Sequence, residues 1–267
     1  MKNSFTDARS IARSLVVSIQ KKTGLFPHEF CLITGAPRSG TSALVRWLGT
    51  QKQISAFPES RILISAHRFL EEARRFQNLE KEIVRIENLV QKLAYEYYID
   101  SRLSLGKRLI VDKEPLEPIA FPSKDYATFI SNVRKIFPEA KLLLAIRDPF
   151  STIWSMSRRT WGESLSDKLK HHFTLQEYID TWKACAEVVL QYHGLPNVYV
   201  VQFGRLINDA ENESGKIFDF LKLRNGVPFK PRETNEVNFD IEERNLILSA
   251  VSPHLEKLMS LGIKDLS

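Results

Sequence analysis

Cysteine is scarce in this chain, since only Cys31 and Cys185 occur among 267 residues. Two cysteines so far apart exclude a disulfide scaffold and the ligand spacing of a cysteine-based metal site, and they predict buried thiols in a reducing compartment. Eleven glycines and twelve prolines are too few for a collagen-like or disordered chain. With 43% hydrophobic residues, the length suits one large α/β domain or two small ones and can bury a substantial core.

Long apolar runs are absent as well, because no segment approaches the roughly 18 residues needed to span a bilayer. The basic N-terminal segment carries a short apolar run at 15–17, which is too short for a signal-peptide core. Apolar residues at helical spacing over 5–19 instead predict an amphipathic helix that packs on the domain. We therefore expect no membrane span and a cytoplasmic protein.

The charge balance is modestly positive, with 38 Lys and Arg against 32 Asp and Glu, or +6. This excess favours an anionic ligand without naming it. A nucleic-acid-binding module is the binding alternative, but the basic residues are interspersed with acids, as at 71–75, and no recognition motif is present. We expect no nucleic acid partner.

Four short apolar runs, at 30–34, 108–111, 141–146 and 198–202, are separated by stretches of helical pattern. Continuous apolar strands that alternate with helices are typical of a parallel sheet covered on both faces. The sequence therefore predicts a three-layer α/β fold. Since no linker or low-complexity segment interrupts it, we interpret residues 1–267 as a single domain.

A different pattern covers 67–99, where apolar residues recur at alternating steps of three and four. It predicts a long helix with a narrow apolar seam, within a helical insertion at about 62–104. The seam residues are Phe76, Leu79, Ile83, Ile86, Val90, Leu93 and Tyr97. Three interpretations stay open: a helix packed on its own domain, a homodimer through residues 76–97, or a lid over a substrate.

The first apolar run leads into Gly-Ala-Pro-Arg-Ser-Gly-Thr-Ser at 35–42, followed by a predicted helix. This loop fits the phosphate-binding pattern G-x-x-x-x-G-K-[ST] except that Thr41 replaces the lysine. Backbone N–H groups and hydroxyls can still converge on a phosphate at the helix N-terminus, and Arg38 supplies positive charge. The missing lysine argues against an ordinary ATPase or kinase. The candidate ligand-binding residues are Arg38, Ser39, Gly40, Thr41 and Ser42.

A second basic site begins at Arg147, at the end of the 141–146 run. Ligands of open α/β sheets bind outside the carboxyl ends of the strands, so Arg147 is expected in the same crevice as the 35–42 loop. Pro149 suits the first turn of the next helix. Ser155 then lies about two turns along that helix and can reach the same anion as Arg147. The alternative is a structural pair of Arg147 with Asp148.

Together these two motifs resemble the sulfotransferases that use 3′-phosphoadenosine 5′-phosphosulfate (PAPS), whose fold is similar to that of P-loop nucleotide hydrolases. The 35–42 loop looks like the family's 5′-phosphosulfate loop, and 147–155 looks like its 3′-phosphate motif. The resemblance implies that the loop residues named above hold the 5′-phosphosulfate, while Arg147 and Ser155 hold the 3′-phosphate. It also implies 3′-phosphoadenosine 5′-phosphate (PAP) as product and no metal.

The resemblance extends to catalytic residues. Glu59 and Arg61 match the Glu-x-Arg pattern of tyrosylprotein sulfotransferases, which implies Glu59 as the general base. Asp-Lys-Glu-Pro at 112–115 is similar to a segment whose lysine lies near the transferring group, which implies Lys113, alongside Arg38, as a catalytic cation. The alternatives are a solvated Glu59–Arg61 pair, a surface Lys113, or a histidine base. The candidate histidines, none in a matching motif, are His67, His171 and His172.

The function implied is transfer of a sulfuryl group from PAPS to a hydroxyl of a glycan, glycolipid or other metabolite by in-line displacement. A P-loop kinase with a degenerate loop remains an alternative, as does a tyrosylprotein acceptor. The resemblance weakens at 203–206, where relatives carry two acids and this chain has Phe-Gly-Arg-Leu. Beyond Gly226 no match is secure, although Lys230 and Arg232 could close over the 3′-phosphate.

Overall fold

The computed structural model describes residues 29–75, 80–102, 107–121, 124–159, 161, 173–231 and 237–266. The N-terminal helix predicted over 5–19 lies outside these residues. So do His171, His172 and Arg232.

A parallel sheet of five strands, in the order β2-β3-β1-β4-β5, forms the centre of the described structure. The strands are β1 (Glu29–Gly35), β2 (Ile54–Pro58), β3 (Leu109–Lys113), β4 (Lys141–Ile146) and β5 (Val198–Gln202). All four strand-to-strand pairings are parallel. The four predicted strands are therefore confirmed, to within two residues at their ends.

The edge strand β2 was not predicted. It has five residues, Ile-Ser-Ala-Phe-Pro, in which Ser55 interrupts the apolar residues and Pro58 is typical of a turn. It becomes a strand because it pairs with β3 in a register that places Phe57 beside Asp112. Pro58 can end it because an edge strand tolerates a residue without an N–H group.

Helices cover both faces of the sheet, which confirms the three-layer α/β fold. Those of the described residues are α1 (Thr41–Gly49), α2 (Ile62–Arg75), α3 (Glu80–Arg102), α4 (Tyr126–Ile136), α5 (Pro149–Ser157), α6 (Leu175–Tyr192), α7 (Phe203–Asn208), α8 (Ala210–Leu221) and α9 (Ile241–Ser260). Alternate residues of β1 point to opposite layers. Phe30 and Leu32 pack in one hydrophobic cluster, whereas Cys31 and Ile33 pack in the other. Cys31 and Cys185 are both buried free thiols, as predicted.

The single long helix predicted over 67–99 is wrong, because the chain forms two helices there, α2 ending at Arg75 and α3 beginning at Glu80. The predicted seam is also wrong at Leu93, whose side chain is 64% exposed. The buried positions of α3 are Val90, Ala94 and Tyr98, spaced four residues apart. On this face α3 packs against α2 and α4 of its own domain. The homodimer through 76–97 stays a prediction.

Gly35, at the end of β1, lies where a side chain cannot fit. Its φ is +145°, and a Cβ there would lie 2.1 Å from the carbonyl oxygen of Ala145 on β4. We expect Gly35→Ala to lower the free energy of unfolding by about 2–6 kcal/mol, from backbone strain and steric overlap. Urea denaturation followed by circular dichroism measures this.

Gly215→Ala is the matched control for that variant. A Cβ at this position of α8 meets no atom within 4 Å. Alanine should therefore stabilise the helix by about 0.5–1 kcal/mol. Equal stability changes in the two variants would contradict the close approach at Gly35.

Candidate functional site

A cleft of about 1340 Å³ lies at the carboxyl ends of the strands. Residues at the carboxyl ends of all five strands line this cleft. The 35–42 loop follows β1, Glu59 follows β2, Lys113 ends β3, Arg147 follows β4, and Phe203 follows β5. Because the strands are parallel, residues far apart in sequence meet at this one edge of the sheet.

The cleft is strongly cationic. Seven basic side chains line it against two carboxylates: Arg38, Arg46, Lys113, Arg147, Arg158, Arg159 and Lys230, with Glu59 and Glu117. Burial lowers the pKa of Arg38, and the neighbouring charges of Arg159 and Arg147 lower it further. Cations that crowd one another in this way are relieved by an anionic ligand, so the cleft favours a molecule with several negative charges.

The loop after β1 presents most of its predicted ligand-binding residues to the cleft, namely Arg38, Gly40, Thr41 and Ser42. Gly40 caps the N-terminus of α1 with φ +95°, and a Cβ there would lie 2.1 Å from the ring of Phe203. Ser39 is not among the residues that line the cleft. Its hydroxyl donates to the carbonyl of Ala36 at 2.6 Å and is fully buried, so the side chain supports the loop from inside.

The two predicted anion motifs meet through one hydrogen bond. Arg38 Nε donates to Ser155 Oγ at 2.8 Å, across 117 residues of sequence. The structure therefore brings the 35–42 loop and the 147–155 segment into one site. Nothing in the sequence indicated this particular contact.

Arg147 lies immediately before α5. Asp148 caps that helix by accepting a hydrogen bond from Ser151 N at 2.7 Å, and Pro149 occupies the first turn as expected. The Arg147 guanidinium lies 3.6 Å from Asp148 and 5.7 Å from the centre of the Phe203 ring. Its side chain lines the cleft, so the neighbouring acid does not remove it from the site.

Lys113 links the loop to Glu59. Its ammonium donates to Ser42 Oγ at 3.1 Å and also to a carboxylate oxygen of Glu59. The Lys113 side chain is only 3% exposed, which excludes the surface lysine considered as an alternative. Burial works to raise the pKa of Glu59, but the hydrogen bond and charge of Lys113, with the charges of Arg61 and Arg159, hold that pKa below its ordinary value.

The turn that carries Glu59 is held by the end of β3. Glu59 N donates to the carbonyl of Lys113 at 3.0 Å, and the Ser60 hydroxyl and Arg61 N each donate to a buried carboxylate at 2.5 Å, those of Asp112 and Glu114 respectively. Glu59 and Arg61 have φ of +66° and +63°, a conformation that costs about 1–3 kcal/mol per non-glycine residue. The turn keeps this strained shape because three consecutive residues are anchored.

The two buried carboxyl groups beneath the turn differ in their environment. Asp112 also accepts a hydrogen bond from Tyr98 Oη at 2.5 Å and one from Lys113 N at 2.8 Å. Glu114 Oε2 has no hydrogen-bond partner among the described residues. Burial, with the added charge of Asp112, raises the pKa of Glu114 to about 8. The buried environment of Glu114 therefore favours its uncharged carboxyl form over the carboxylate.

The sequence did not predict several of the residues that line the cleft, namely Arg46, Glu117, Ser151, Arg158, Arg159 and Phe203. Arg158 and Arg159 lie one turn beyond Ser155, so helical spacing could have indicated them. Lys230 does line the cleft, because the preceding segment is pinned to α1 by Trp47 Nε1 donating to the carbonyl of Val227 at 2.7 Å.

His67 is not at the cleft. It is 7% exposed, and its Nδ1 lies 2.9 Å from Asn132 Nδ2 between α2 and α4. Its position removes it as an alternative base. Within the described ranges, three or more Cys, His, Asp and Glu side chains nowhere cluster as metal ligands would. None of the helices described has the length and apolarity needed to cross a membrane.

Comparison with known proteins gives one family. The model of that family, described as the sulfotransferase family, matches residues 31–226. The nodulation protein NoeE of Sinorhizobium fredii (strain NBRC 101917 / NGR234) is 26% identical over 145 residues, which is 49% of this chain and 32% of NoeE. The alignment thus spans about a third of the length of that relative.

Two solved structures have a similar fold. A sulfotransferase from Alicyclobacillus acidocaldarius aligns with a TM-score of 0.54 and 18% identity, covering 88% of this chain and 95% of that one. A sulfotransferase domain from the curacin biosynthetic pathway aligns with a TM-score of 0.52 and 15% identity, covering 89% and 98% respectively. At these identities the likeness concerns the fold.

Proposed function

This chain belongs to the sulfotransferase family and is a sulfotransferase, and from that premise we propose that it transfers a sulfuryl group from PAPS to a hydroxyl acceptor. The observation that carries the proposal is the convergence of the two anion motifs, joined by the 2.8 Å hydrogen bond from Arg38 to Ser155. A donor with phosphate groups at both its 5′ and 3′ positions needs two such sites side by side.

The donor fits the charge of the cleft. In our proposal Arg38, Gly40, Thr41 and Ser42 hold the 5′-phosphosulfate, where the N-terminus of α1 adds its partial positive charge. Arg147 and Ser155 hold the 3′-phosphate. Ser39 contributes to binding by supporting the loop, because its side chain faces away from the cleft. A kinase is disfavoured, since Thr41 stands where such enzymes carry the phosphate-loop lysine.

Chemically, PAPS supplies an activated sulfuryl group, and the residues of the cleft position it and neutralise charge. Glu59 accepts the proton of the acceptor hydroxyl as the new S–O bond forms. Lys113 neutralises the oxygen of the departing 5′-phosphate as the old S–O bond breaks. Lys113 contacts Ser42 of the loop and Glu59 contacts Lys113, so both groups lie next to the loop at the carboxyl end of the sheet.

Lys113 also couples donor binding to the strength of the base. Its ammonium is shared between Ser42 and Glu59. An anionic donor beside Ser42 competes for that ammonium and weakens its hydrogen bond to Glu59. Because Lys113 is the strongest influence that lowers the Glu59 pKa, we propose that donor binding makes Glu59 a better base.

The acceptor in this proposal is the hydroxyl of a glycan, glycolipid or other metabolite, and a protein tyrosine is the second candidate because of the Glu59-x-Arg61 pattern. Labelled PAPS offered with methyl glucoside, an alkyl glucoside, p-nitrophenol and a tyrosine-containing peptide tests both candidates. Transfer to the peptide alone would favour the tyrosyl acceptor.

PAP is expected to stabilise the protein more than AMP, which lacks only the 3′-phosphate, and more than ADP. At a hundredfold excess over its dissociation constant, a ligand adds about 2.7 kcal/mol to the free energy of unfolding. For a chain of this size we expect PAP to raise Tm by roughly 5–10 °C. Differential scanning fluorimetry measures the shift. Equal shifts with PAP, AMP and ADP would refute PAPS as the donor.

A further inference from the structure

Charged side chains of alternating sign form a continuous row from Lys113 to Arg159, and all of them except Arg61 line the cleft. Lys113 contacts Glu59, and the other carboxylate oxygen of Glu59 accepts from Arg61 at 3.0 Å. Arg61 also donates to Glu117 Oε2 at 3.3 Å. Arg159 contacts Glu117 Oε1 at 3.4 Å. Arg61 is therefore shared between two carboxylates, and Glu117 is shared between two arginines.

Glu117 is the buried member of this row. Its side chain is 3% exposed, whereas those of Arg61 and Arg159 are 44% and 39% exposed. Its backbone is fixed too, because its carbonyl accepts hydrogen bonds from Ala120 N and Phe121 N at 3.0 Å. A buried carboxylate at a rigid position can hold two flexible arginines in one arrangement.

We propose that Glu117 is a positioning residue of sulfuryl transfer, which holds Arg61 and Arg159 and thereby keeps Glu59 basic enough to accept a proton. The inference rests on the proposed role of Glu59. Glu117 engages part of the charge of Arg61, so less of that charge is available to stabilise the Glu59 carboxylate. If Glu117 were neutral, both arginines would act more strongly on Glu59, and the base would weaken.

The charged and titratable groups that face Glu59 come from three parts of the fold. Lys113 ends β3 and Glu114 follows it, Arg61 lies in the turn after β2, and Arg159 lies beyond α5. Burial and the charge of Asp112 raise the pKa of Glu114, whereas Lys113, Arg61 and Arg159 lower the pKa of Glu59, so the two carboxyl groups lose their protons in separate pH ranges. A change in the Glu59 pKa therefore reflects the charges of the three cations and of Glu117.

Substitutions of Glu117, in the middle of the Arg61–Glu117–Arg159 row, and of Arg159, at one end of it, should shift the Glu59 pKa in opposite directions. Glu117→Gln removes the charge that offsets the arginines, so the Glu59 pKa should fall. Arg159→Gln removes one of the cations, so that Glu117 pairs with Arg61 only, and the Glu59 pKa should rise. A purely structural role of Glu117 does not predict this reversal of sign.

Carbon-13 NMR titration of the full chain labelled at glutamate side-chain carboxyls measures these shifts directly, with the Glu59 signal assigned from its loss in Glu59→Gln. The titration needs no acceptor, so it is independent of whether PAPS is turned over. Shifts of opposite sign support the inference. An unchanged Glu59 pKa in both variants, or shifts of the same sign, would overturn it. If Glu117→Gln does not fold, Glu117→Ala is titrated in its place together with Arg159→Gln, and a Glu59 pKa that does not fall in Glu117→Ala overturns the inference.

Turnover gives the second readout. With whichever of the four named acceptors supports wild-type transfer, Glu117→Gln should lower kcat by roughly 10- to 100-fold, as expected for a lost charged hydrogen-bond partner. Its PAP affinity should stay within about threefold, well below the effect of losing such a partner. Glu117→Asp keeps the charge and should recover part of kcat. A wild type inactive with all four acceptors counts against the proposed function, whereas normal kcat in Glu117→Gln counts against this inference alone.

Discussion

Glu59→Gln is expected to lower kcat by about 10²- to 10⁴-fold, the usual contribution of a general base. Glutamine keeps the size of the side chain and can still bond to Arg61, but it cannot accept the acceptor proton. Rapid-quench measurement of sulfuryl transfer from labelled PAPS, with wild type and variant compared at saturating donor, measures the effect.

The same variant makes a second, less obvious prediction about binding. Lys113 is shared between Ser42 and Glu59 in the structure. Without the Glu59 charge, the Lys113 ammonium can bind the donor instead. PAP should therefore bind Glu59→Gln at least as tightly as it binds wild type. Glu82→Gln, on the exposed surface of α3, is the control and should leave both quantities unchanged. Full activity of Glu59→Gln would remove Glu59 as the base.

Arg147→Ala is expected to weaken PAP binding by about 1.5–3 kcal/mol, or roughly 10- to 150-fold, because the 3′-phosphate loses a charged hydrogen-bond donor. The Arg147 side chain is 16% exposed and lies 5.7 Å from the centre of the Phe203 ring, at the carboxyl end of β4. Isothermal titration calorimetry with PAP measures the loss.

AMP provides the matched ligand for that experiment. It lacks the 3′-phosphate, so Arg147→Ala should affect AMP binding little and should remove most of the advantage of PAP over AMP. Arg75→Ala, whose side chain is 77% exposed at the end of α2, is the protein control. An equal loss for both ligands would place Arg147 at another part of the donor.

The sheet and its two anion motifs were predictable because their signals are local. The runs that became β1, β3, β4 and β5 each contain three to five consecutive apolar residues, as expected for a parallel sheet covered by helices. The loop at 35–42 carries its glycines at the positions where the backbone turns into α1. The N-cap residue Asp148 and the first-turn residue Pro149 of α5 are equally local signals.

The failures concern segments whose state depends on distant partners. β2 is a strand only because β3 offers it an edge, and nothing in its own five residues requires that state. The exposure of Leu93 follows from where α3 meets α2 and α4. The heptad-like spacing of 76–97 could not predict that exposure, because the same spacing occurs in a coiled coil and in a helix that packs against helices of its own domain.

The sequence by itself thus determined the family and the parallel α/β architecture, and it predicted which residues would bind an anionic donor. Only the tertiary structure decided that Lys113 contacts Ser42 and Glu59 together, that Arg38 reaches Ser155, and that Glu117 lies between two arginines. The physical reason is that strand order places the ends of five parallel strands side by side. Charges that are scattered along the chain become neighbours there, and their effects on one another depend on distances that a sequence does not contain.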